Sequence, residues 1–213
     1  MSELGTNDPS VRYDSSATQG SGENERHSLQ AYVSDLLALE QHISQPLGGQ
    51  QKSDHVSAYP QALTLVTQIG AQNEAHIEAL KRCLDDLGGH GASPIKSAWS
   101  SLLGNAATAI GASRKTKVTK WLRDDYTALN LAAISYTLLH ATATGLGDTA
   151  VAGIARQGLT DYARSIMQIN EVIPEIVLAE LRDDGENVVT GAADRIRRET
   201  NDVWRAQSST VHN

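Results

Sequence analysis

The residues from Val118 to Gly145 impose the strongest constraint on the fold of this chain. Large or apolar side chains, with one aspartate among them, recur there every three or four positions, at Val118, Leu122, Asp125, Leu129, Ala132, Tyr136, Leu139 and Ala143. This spacing places them on one face of a long α-helix. Such a helix needs other helices to cover that face, and its remaining faces are too polar to span a membrane.

Three other segments show the same periodicity, so the sequence predicts an all-α protein with four long helices over residues 28–47, 59–87, 118–145 and 148–182. We expect Ser28 to cap the first helix and Pro46, Gly48 and Gly49 to end or kink it. The short Gly-containing loop before Asp148, which can cap the fourth helix, forces the last two helices to be antiparallel neighbours. The predicted architecture is an antiparallel four-helix bundle spanning residues 28–182.

The flanking and connecting segments have a different composition. Residues 1–27 are rich in Ser, Gly, Asn, Asp and Glu, which predicts a disordered N-terminal tail. Residues 88–117 form a long connection between the second and third helices. Residues 183–213 predict an additional amphipathic helix and a frayed tail, with an apolar face at Val189, Ala192, Ala193, Ile196, Thr200, Val203 and Trp204. The arginines on its outer face are either solvated or dock against a second subunit.

Charge and cysteine content limit the classes of function. The chain has 213 residues and a formal net charge of −7, from 18 basic and 25 acidic side chains. This negative net charge argues against a protein dedicated to binding nucleic acids or anionic membranes. A single cysteine excludes an intrachain disulfide and fits a reducing compartment. Residues 1–27 contain no apolar run typical of a secretory signal, so we expect a cytoplasmic protein.

Glu40 is the first candidate functional residue, because it lies on the apolar face of the first helix, between Leu36 and Ile43. A carboxylate in that position must be paired, protonated or bound to a metal ion. One alternative is a hydrogen bond to a buried Tyr, Asn or His, and tyrosines near the faces of the later helices are available as partners. The other alternative is a metal ligand.

His76 is the second candidate. It lies one turn from Asn73 on the face of the second helix that should meet Glu40. A hydrogen-bonded core histidine is one interpretation, and a metal ligand is the other, because imidazole is a common ligand of divalent metals.

Two phrases carry a resemblance to a known superfamily. The sequence HIEALKRCLDDLGGHGASP, from residue 76, resembles the end of the second helix of bacterioferritins and Dps proteins, and SDLLALE, ending at Glu40, resembles the ligand-bearing turn of their first helix. Over about residues 28–182 the chain is similar to the YciE/YciF-like branch of ferritin-like stress proteins. The resemblance implies a ferritin-like four-helix bundle with a long 2–3 connection, a role in stress response, and a homo-oligomer such as a dimer.

The same resemblance allows the metal-ligand positions of the family to be compared with the residues of this sequence. Di-iron members distribute glutamates and two E-x-x-H motifs over four helices. Glu40 matches the first-helix glutamate and His76 the second-helix histidine, but Asn73 stands where that motif has its glutamate. The third-helix carboxylate falls at about Leu129, and the fourth-helix motif falls near Asp161 without an imidazole. Two of the six ligands therefore remain, and two irons need more carboxylates than this for charge balance.

Two hypotheses of function follow. The first is a degenerate ferritin-like bundle without di-iron chemistry or cofactor, serving as a structural or stress-associated homo-oligomeric module. The second is a metalloprotein with one divalent ion (Fe, Mn or Zn) at Glu40 and His76, with Asn73 and Asp161 as neighbours. The first is favoured, and it implies a non-enzymatic protein. No G-x-S-x-G elbow or phosphate-binding P-loop supports another chemistry.

Overall fold

The computed structural model describes residues 15–89 and 117–210, with side chains described for residues 24–89 and 117–206. Every regular element in these ranges is a helix: α1 (Ser15–Gln51), α2 (Asp54–Ser57), α3 (Pro60–Asp86), α4 (Val118–Gly145), α5 (Thr149–Asp183) and α6 (Ala192–Thr210). None of the helices in the described part of the chain combines the length and the apolarity needed to cross a lipid bilayer.

The four long helices α1, α3, α4 and α5 pack together as a bundle in which neighbours run antiparallel. At one end the Gln30 amide donates to the carbonyl of Leu87, at 2.6 Å, and at the other the Gln51 amide lies 3.5 Å from the carbonyl of Val66. These two contacts fix α1 and α3 as antiparallel. The remaining neighbours are α1 with α4, α3 with α5, and α4 with α5.

The turn between α4 and α5 follows the prediction. Gly147 has a φ of 77°, a left-handed conformation that glycine adopts without strain. Asp148 then caps α5, because its carboxylate accepts a hydrogen bond from the backbone N–H of Val151 at 3.0 Å. Because this turn is so short, α5 packs antiparallel against α4.

The start of α4 is capped from a distance. Lys117 stands at the N-cap position and its side chain makes no capping hydrogen bond. The buried carboxylate of Glu180, from α5, instead accepts hydrogen bonds from the Thr119 backbone N–H, at 3.2 Å, and hydroxyl, at 2.6 Å. An acidic group at this position also complements the positive end of the helix dipole.

The core is mainly aliphatic and continuous through the bundle. The buried positions of α4 are the eight that the periodicity predicts, from Val118 to Ala143. Aliphatic side chains from α1, α3 and α5 complete this core, including Leu36, Leu47, Ile69, Leu80 and Ile169. The prediction of an all-α bundle of long helices is therefore confirmed.

The first helix is longer at its N-terminus than predicted. Residues 15–27, expected to belong to a disordered tail over 1–27, are helical, and residues 1–14 lie outside the described ranges. Ser28 is not the N-cap, because its hydroxyl donates to the carbonyl of Asn24 inside the helix at 3.1 Å. Polar composition alone does not reveal that these residues continue a helix whose later turns are anchored by burial.

The same helix also continues past its expected stop. Pro46, Gly48 and Gly49 lie inside α1, which ends at Gln51. Leu47 and Gln50 are buried on the far side of the proline, so packing in the bundle outweighs the local preference of these residues to break a helix. The residues between α1 and α3 then contain the single-turn helix α2, where the sequence predicts only the gap between its first two long helices.

The C-terminal helix packs against the outside of α5 rather than joining the bundle. Ala192 and Ala193 are buried against Leu178, in a small cluster separate from the main core. Val203 and Trp204 were expected on the same apolar face but are 62% and 45% exposed, and the residues of α6 that are buried in the described structure, Ala192 and Ala193, lie in its first turn. Most of the predicted 88–117 connection, residues 90–116, lies outside the described ranges.

One close approach joins α4 to α5 in the middle of the bundle. Gly158 faces the ring of Tyr136, and a Cβ built at position 158 would lie 2.3 Å from Cζ of that ring. No side chain fits there without moving the tyrosine. Gly153, on the exposed side of the same helix, is open: a Cβ added there would meet no atom within 4 Å apart from its own local backbone.

We expect Gly158→Ala to destabilise the fold by about 1–3 kcal/mol, because overpacking outweighs the gain in helix propensity. Gly153→Ala is the matched control and should stabilise by up to about 1 kcal/mol. Urea denaturation followed by far-UV circular dichroism measures both. Equal stabilisation by the two substitutions would contradict the close approach of Tyr136.

Candidate functional site

Glu40 is the centre of a polar cluster inside the bundle. Its side chain is fully buried, and its two carboxylate oxygens accept hydrogen bonds from three other helices. The Tyr136 hydroxyl of α4 donates to Oε1 at 2.6 Å, the Tyr162 hydroxyl of α5 donates to Oε2, and the Asn73 amide of α3 donates to Oε2 at 2.5 Å. This is the hydrogen-bonded alternative that the sequence left open for Glu40.

Helix periodicity explains why these groups meet. Glu40 occupies an inward position of α1, and Tyr136 and Tyr162 occupy inward positions of α4 and α5, so the two hydroxyls point into the bundle. Asn73 also donates to the backbone carbonyl of Glu40 at 3.0 Å. Three donors from three helices thus converge on one carboxyl group, and together they give both of its oxygens a partner.

His76 lies one turn beyond Asn73 and contacts two carboxylates through different ring nitrogens. Its Nδ1 lies 3.2 Å from Oε1 of Glu40, and its Nε2 lies 3.3 Å from Oδ2 of Asp161. The first contact has the distance of an ion pair but not the geometry of a hydrogen bond. The ring also packs edge-on against both tyrosines, with centroid separations of 4.8 Å to Tyr162 and 5.5 Å to Tyr136.

Burial and the neighbouring carboxylates have opposite effects on the protonation of His76. Burial by itself lowers the pKa of the imidazole, but Glu40 and then Asp161 raise it, and the net pKa lies above its ordinary value of 6.5. The ion pairs of His76 therefore contribute stability that is fully present below about pH 6.5 and is lost as pH rises through the folded-state pKa.

The two tyrosines remain donors over the whole neutral range. Burial, followed by the negative charge of Glu40, raises the pKa of Tyr136 and of Tyr162 far above the ordinary phenol value of 10.0. Their hydroxyls can therefore neither ionise near neutral pH nor act as bases. Their role is to hold the carboxylate of Glu40.

Asp161 connects the cluster to the surface of the bundle. Its side chain is 16% exposed, and its Oδ2 accepts a hydrogen bond from the Gln157 amide at 2.9 Å as well as contacting His76. Arg164, one turn further along α5, makes a looser contact with Asp161 at 3.9 Å and is largely exposed. Asp161 is thus the outermost member of a chain of groups that leads inward through His76 to Glu40.

All four residues singled out from the sequence, Glu40, Asn73, His76 and Asp161, meet in this cluster. The group contributed by α4 differs from the expectation. The family resemblance pointed to about Leu129, whereas the α4 side chain that reaches Glu40 is Tyr136, two turns further along. Leu129 is buried as part of the apolar core. The register of α4 against α1, which no local sequence signal specifies, accounts for the difference.

The arrangement also limits what metal the cluster could hold. Both oxygens of Glu40 already accept hydrogen bonds, and the two carboxylates lie against opposite edges of the His76 ring. A single ion cannot bind one ring nitrogen and both carboxylates without rearrangement of the site. Among the described residues, no three or more His, Cys, Asp or Glu side chains form a group that could hold a metal ion.

Comparison with known proteins supports the fold and nothing finer. No protein-family model matches the chain, and no curated protein matches it. A solved structure that is similar is the crystal structure of a protein from Xanthomonas campestris pv. campestris, with a TM-score of 0.60 and 20% sequence identity. The match covers 76% of this chain and 99% of that one. At this identity the likeness establishes a shared helical architecture only.

We expect Tyr136→Phe to destabilise the protein by about 1.5–3 kcal/mol, the usual effect of removing a hydrogen bond to a buried charged group. Tyr126→Phe, on the same helix at a tyrosine that does not contact Glu40, is the control and should change stability by less than about 1 kcal/mol. Chemical denaturation measures both. Equal effects would show that the hydroxyl of Tyr136 contributes nothing specific.

We also expect Glu40→Gln and Asp161→Asn each to lower the pKa of His76, with the larger effect from Glu40. The reason is that each substitution removes a negative charge that favours the imidazolium. NMR titration of the histidine ring resonances measures this directly, and the exposed His42 provides a reference in the same spectra. A His76 titration that neither substitution moves would rule out the ion pairs.

Proposed function

We propose that this protein is a degenerate ferritin-like helical bundle without di-iron chemistry, acting in the cytoplasm as a structural or stress-associated homo-oligomeric module, a dimer. The observation that supports this proposal is the complete engagement of Glu40 by Tyr136, Tyr162 and Asn73. In a metal centre those carboxylate lone pairs would be directed at the ions.

Charge balance supports the same proposal. A dinuclear centre holds two dications, which require several carboxylates around them. Here the two carboxylates of Glu40 and Asp161 flank a histidine whose raised pKa favours the cation, so one of their two negative charges is offset within the cluster and at most one remains for a metal ion. The remaining partners, two phenols and one amide, donate hydrogen bonds to a carboxylate rather than compensate a cation. The cluster thus has the composition of a structural site.

A single divalent ion is the second candidate function. The convergence of Glu40, His76 and Asp161 within 3.3 Å contacts favours it, because these are ligand types that Fe, Mn and Zn accept. Such an ion would bind His76 with one of the two carboxylates and displace a hydrogen bond from the cluster. Weak binding is the expected consequence, since the displaced donors would be left buried and unpaired.

Metal analysis combined with a mass measurement tests the proposal. We expect elemental mass spectrometry to find no stoichiometric Fe, Mn or Zn in protein purified without added metal. Light scattering should give the mass of a dimer. Titration with Zn²⁺ or Mn²⁺ should give no saturable heat in calorimetry. The controls are Glu40→Ala and His76→Ala, analysed at a temperature where circular dichroism shows both to be folded.

The outcomes separate the two candidates. One equivalent of metal in the wild-type protein that is lost in both variants would replace the structural proposal with the mono-metal site. Two equivalents of iron or manganese would overturn both, because the described ligand set cannot hold them. A monomeric mass would overturn the homo-oligomeric part of the proposal.

A further inference from the structure

A second polar pair lies in the bundle ten residues along α1 from Glu40. Gln50 of α1 and Asp125 of α4 are both buried, at 5% and 6% exposure. The Gln50 amide Nε2 donates to Oδ1 of Asp125 at 2.9 Å. This hydrogen bond joins α1 and α4 near the end of the bundle where α4 begins.

Each member of this pair has one oxygen left over. Within the described residues, neither Oε1 of Gln50 nor Oδ2 of Asp125 has a hydrogen-bond partner, and both atoms are buried. If Asp125 is ionised, both leftover atoms are acceptors and cannot satisfy each other. A proton on Oδ2 turns it into a donor, and the leftover amide oxygen of Gln50 is the matching acceptor. One proton therefore accounts for both orphaned atoms.

The electrostatic surroundings favour the same proton. From α1, Asp125 meets only the neutral amide of Gln50, and on α4 the exposed Asp124 adds a charge of the same sign. In the described parts of α3 and α5, no charged group acts on it. Burial is the main cause that raises the pKa of Asp125 from 3.8 to about 7, with the Gln50 hydrogen bond opposing it and Asp124 reinforcing it.

We propose that Asp125 is held as the neutral acid, donating from Oδ2 to Oε1 of Gln50, and that this pair is a proton-dependent latch between α1 and α4. When Asp125 ionises, the acid-to-amide hydrogen bond is lost and a charge without a counter-ion remains buried. The latch is closed in mildly acidic solution and loosens as the pH approaches and passes neutrality.

The helical segments next to Gln50 and Asp125 should respond to the ionisation of Asp125. Gln50 is the next-to-last residue of α1, which is followed by α2, and His55 of α2 packs edge-on against Trp121, one turn before Asp125, with ring centroids 6.4 Å apart. Loosening of the pair should therefore release the end of α1, α2 and the first turns of α4 together, leaving the Glu40 cluster in place.

Asp125→Asn is the decisive substitution, because asparagine reproduces the hydrogen-bonding pattern of the neutral acid without a titratable proton. We expect the wild-type unfolding constant, divided by that of the variant, to rise by up to about tenfold per pH unit between about pH 4 and about pH 7, and then to level off. The sign follows from a folded-state pKa above the unfolded one, which makes the bound proton stabilising at low pH. Asp124→Asn, the exposed neighbour, should keep the rise and move its upper end only slightly to lower pH, because it removes the smallest of the causes that act on the pKa of Asp125.

Two further measurements test the proposal on the folded wild-type chain, without comparing stabilities. Carbon-13 NMR of the aspartate carboxyls should show one that titrates near neutral pH and is missing from Asp125→Asn. Amide hydrogen exchange over residues 47–58 and 118–125 should accelerate as the pH rises through that titration, after correction for the intrinsic exchange rate. A ratio of unfolding constants that is flat with pH, or an Asp125 carboxyl that titrates below about pH 5, would overturn the latch.

Discussion

The structure depends on the hydrogen bonding of one buried side chain, because Glu40 places two polar oxygens in the interior of a mainly aliphatic bundle, where each of them needs a partner. Removing one partner from a buried ion pair typically costs about 3–5 kcal/mol, which is a large share of the stability of a domain. Here the partners come from three different helices, Asn73 and His76 on α3, Tyr136 on α4 and Tyr162 on α5. A slip of any one helix by a turn would leave part of the Glu40 carboxyl group buried without a partner. The cluster therefore selects one register out of the several that the apolar faces alone would accept.

The periodic features of the sequence were sufficient to predict the elements and the inward positions. The buried face of α4 could be read from spacing because every third or fourth residue is constrained by the same core. Glu40 could be recognised as a site for the same reason, since a carboxylate at a core position must have partners. The tyrosines could be named as candidates because their hydroxyls, once buried, also require a partner.

The structural features that could not be predicted from the sequence depend on contacts between residues that are distant along the chain. Pro46 should end a helix locally, but the burial of Leu47 and Gln50 carries α1 through it. The capping of α4 by Glu180 joins residues 61 positions apart. Which turn of α4 lies opposite Glu40 is a matter of register, and the spacing of the apolar residues does not specify whether it is the turn of Leu129 or that of Tyr136. A helical pattern states which face of a helix points inward, whereas its axial position is decided only when all four helices are packed.

The two buried acids between α1 and α4 illustrate how partners decide the state of a carboxyl group. Glu40 and Asp125 are both desolvated and both meet a residue of the opposite helix. Glu40 receives three hydrogen-bond donors, and one of its oxygens lies 3.2 Å from a ring nitrogen of His76. Asp125 receives one neutral amide and no cation among the described residues, so its neutral form is favoured and its pKa is raised to about 7. Burial is common to both sites, and the number and charge of the donors is what differs. The bundle is therefore held at its centre by a carboxyl group with a partner for each oxygen, and by a proton at the end where α1 meets the start of α4.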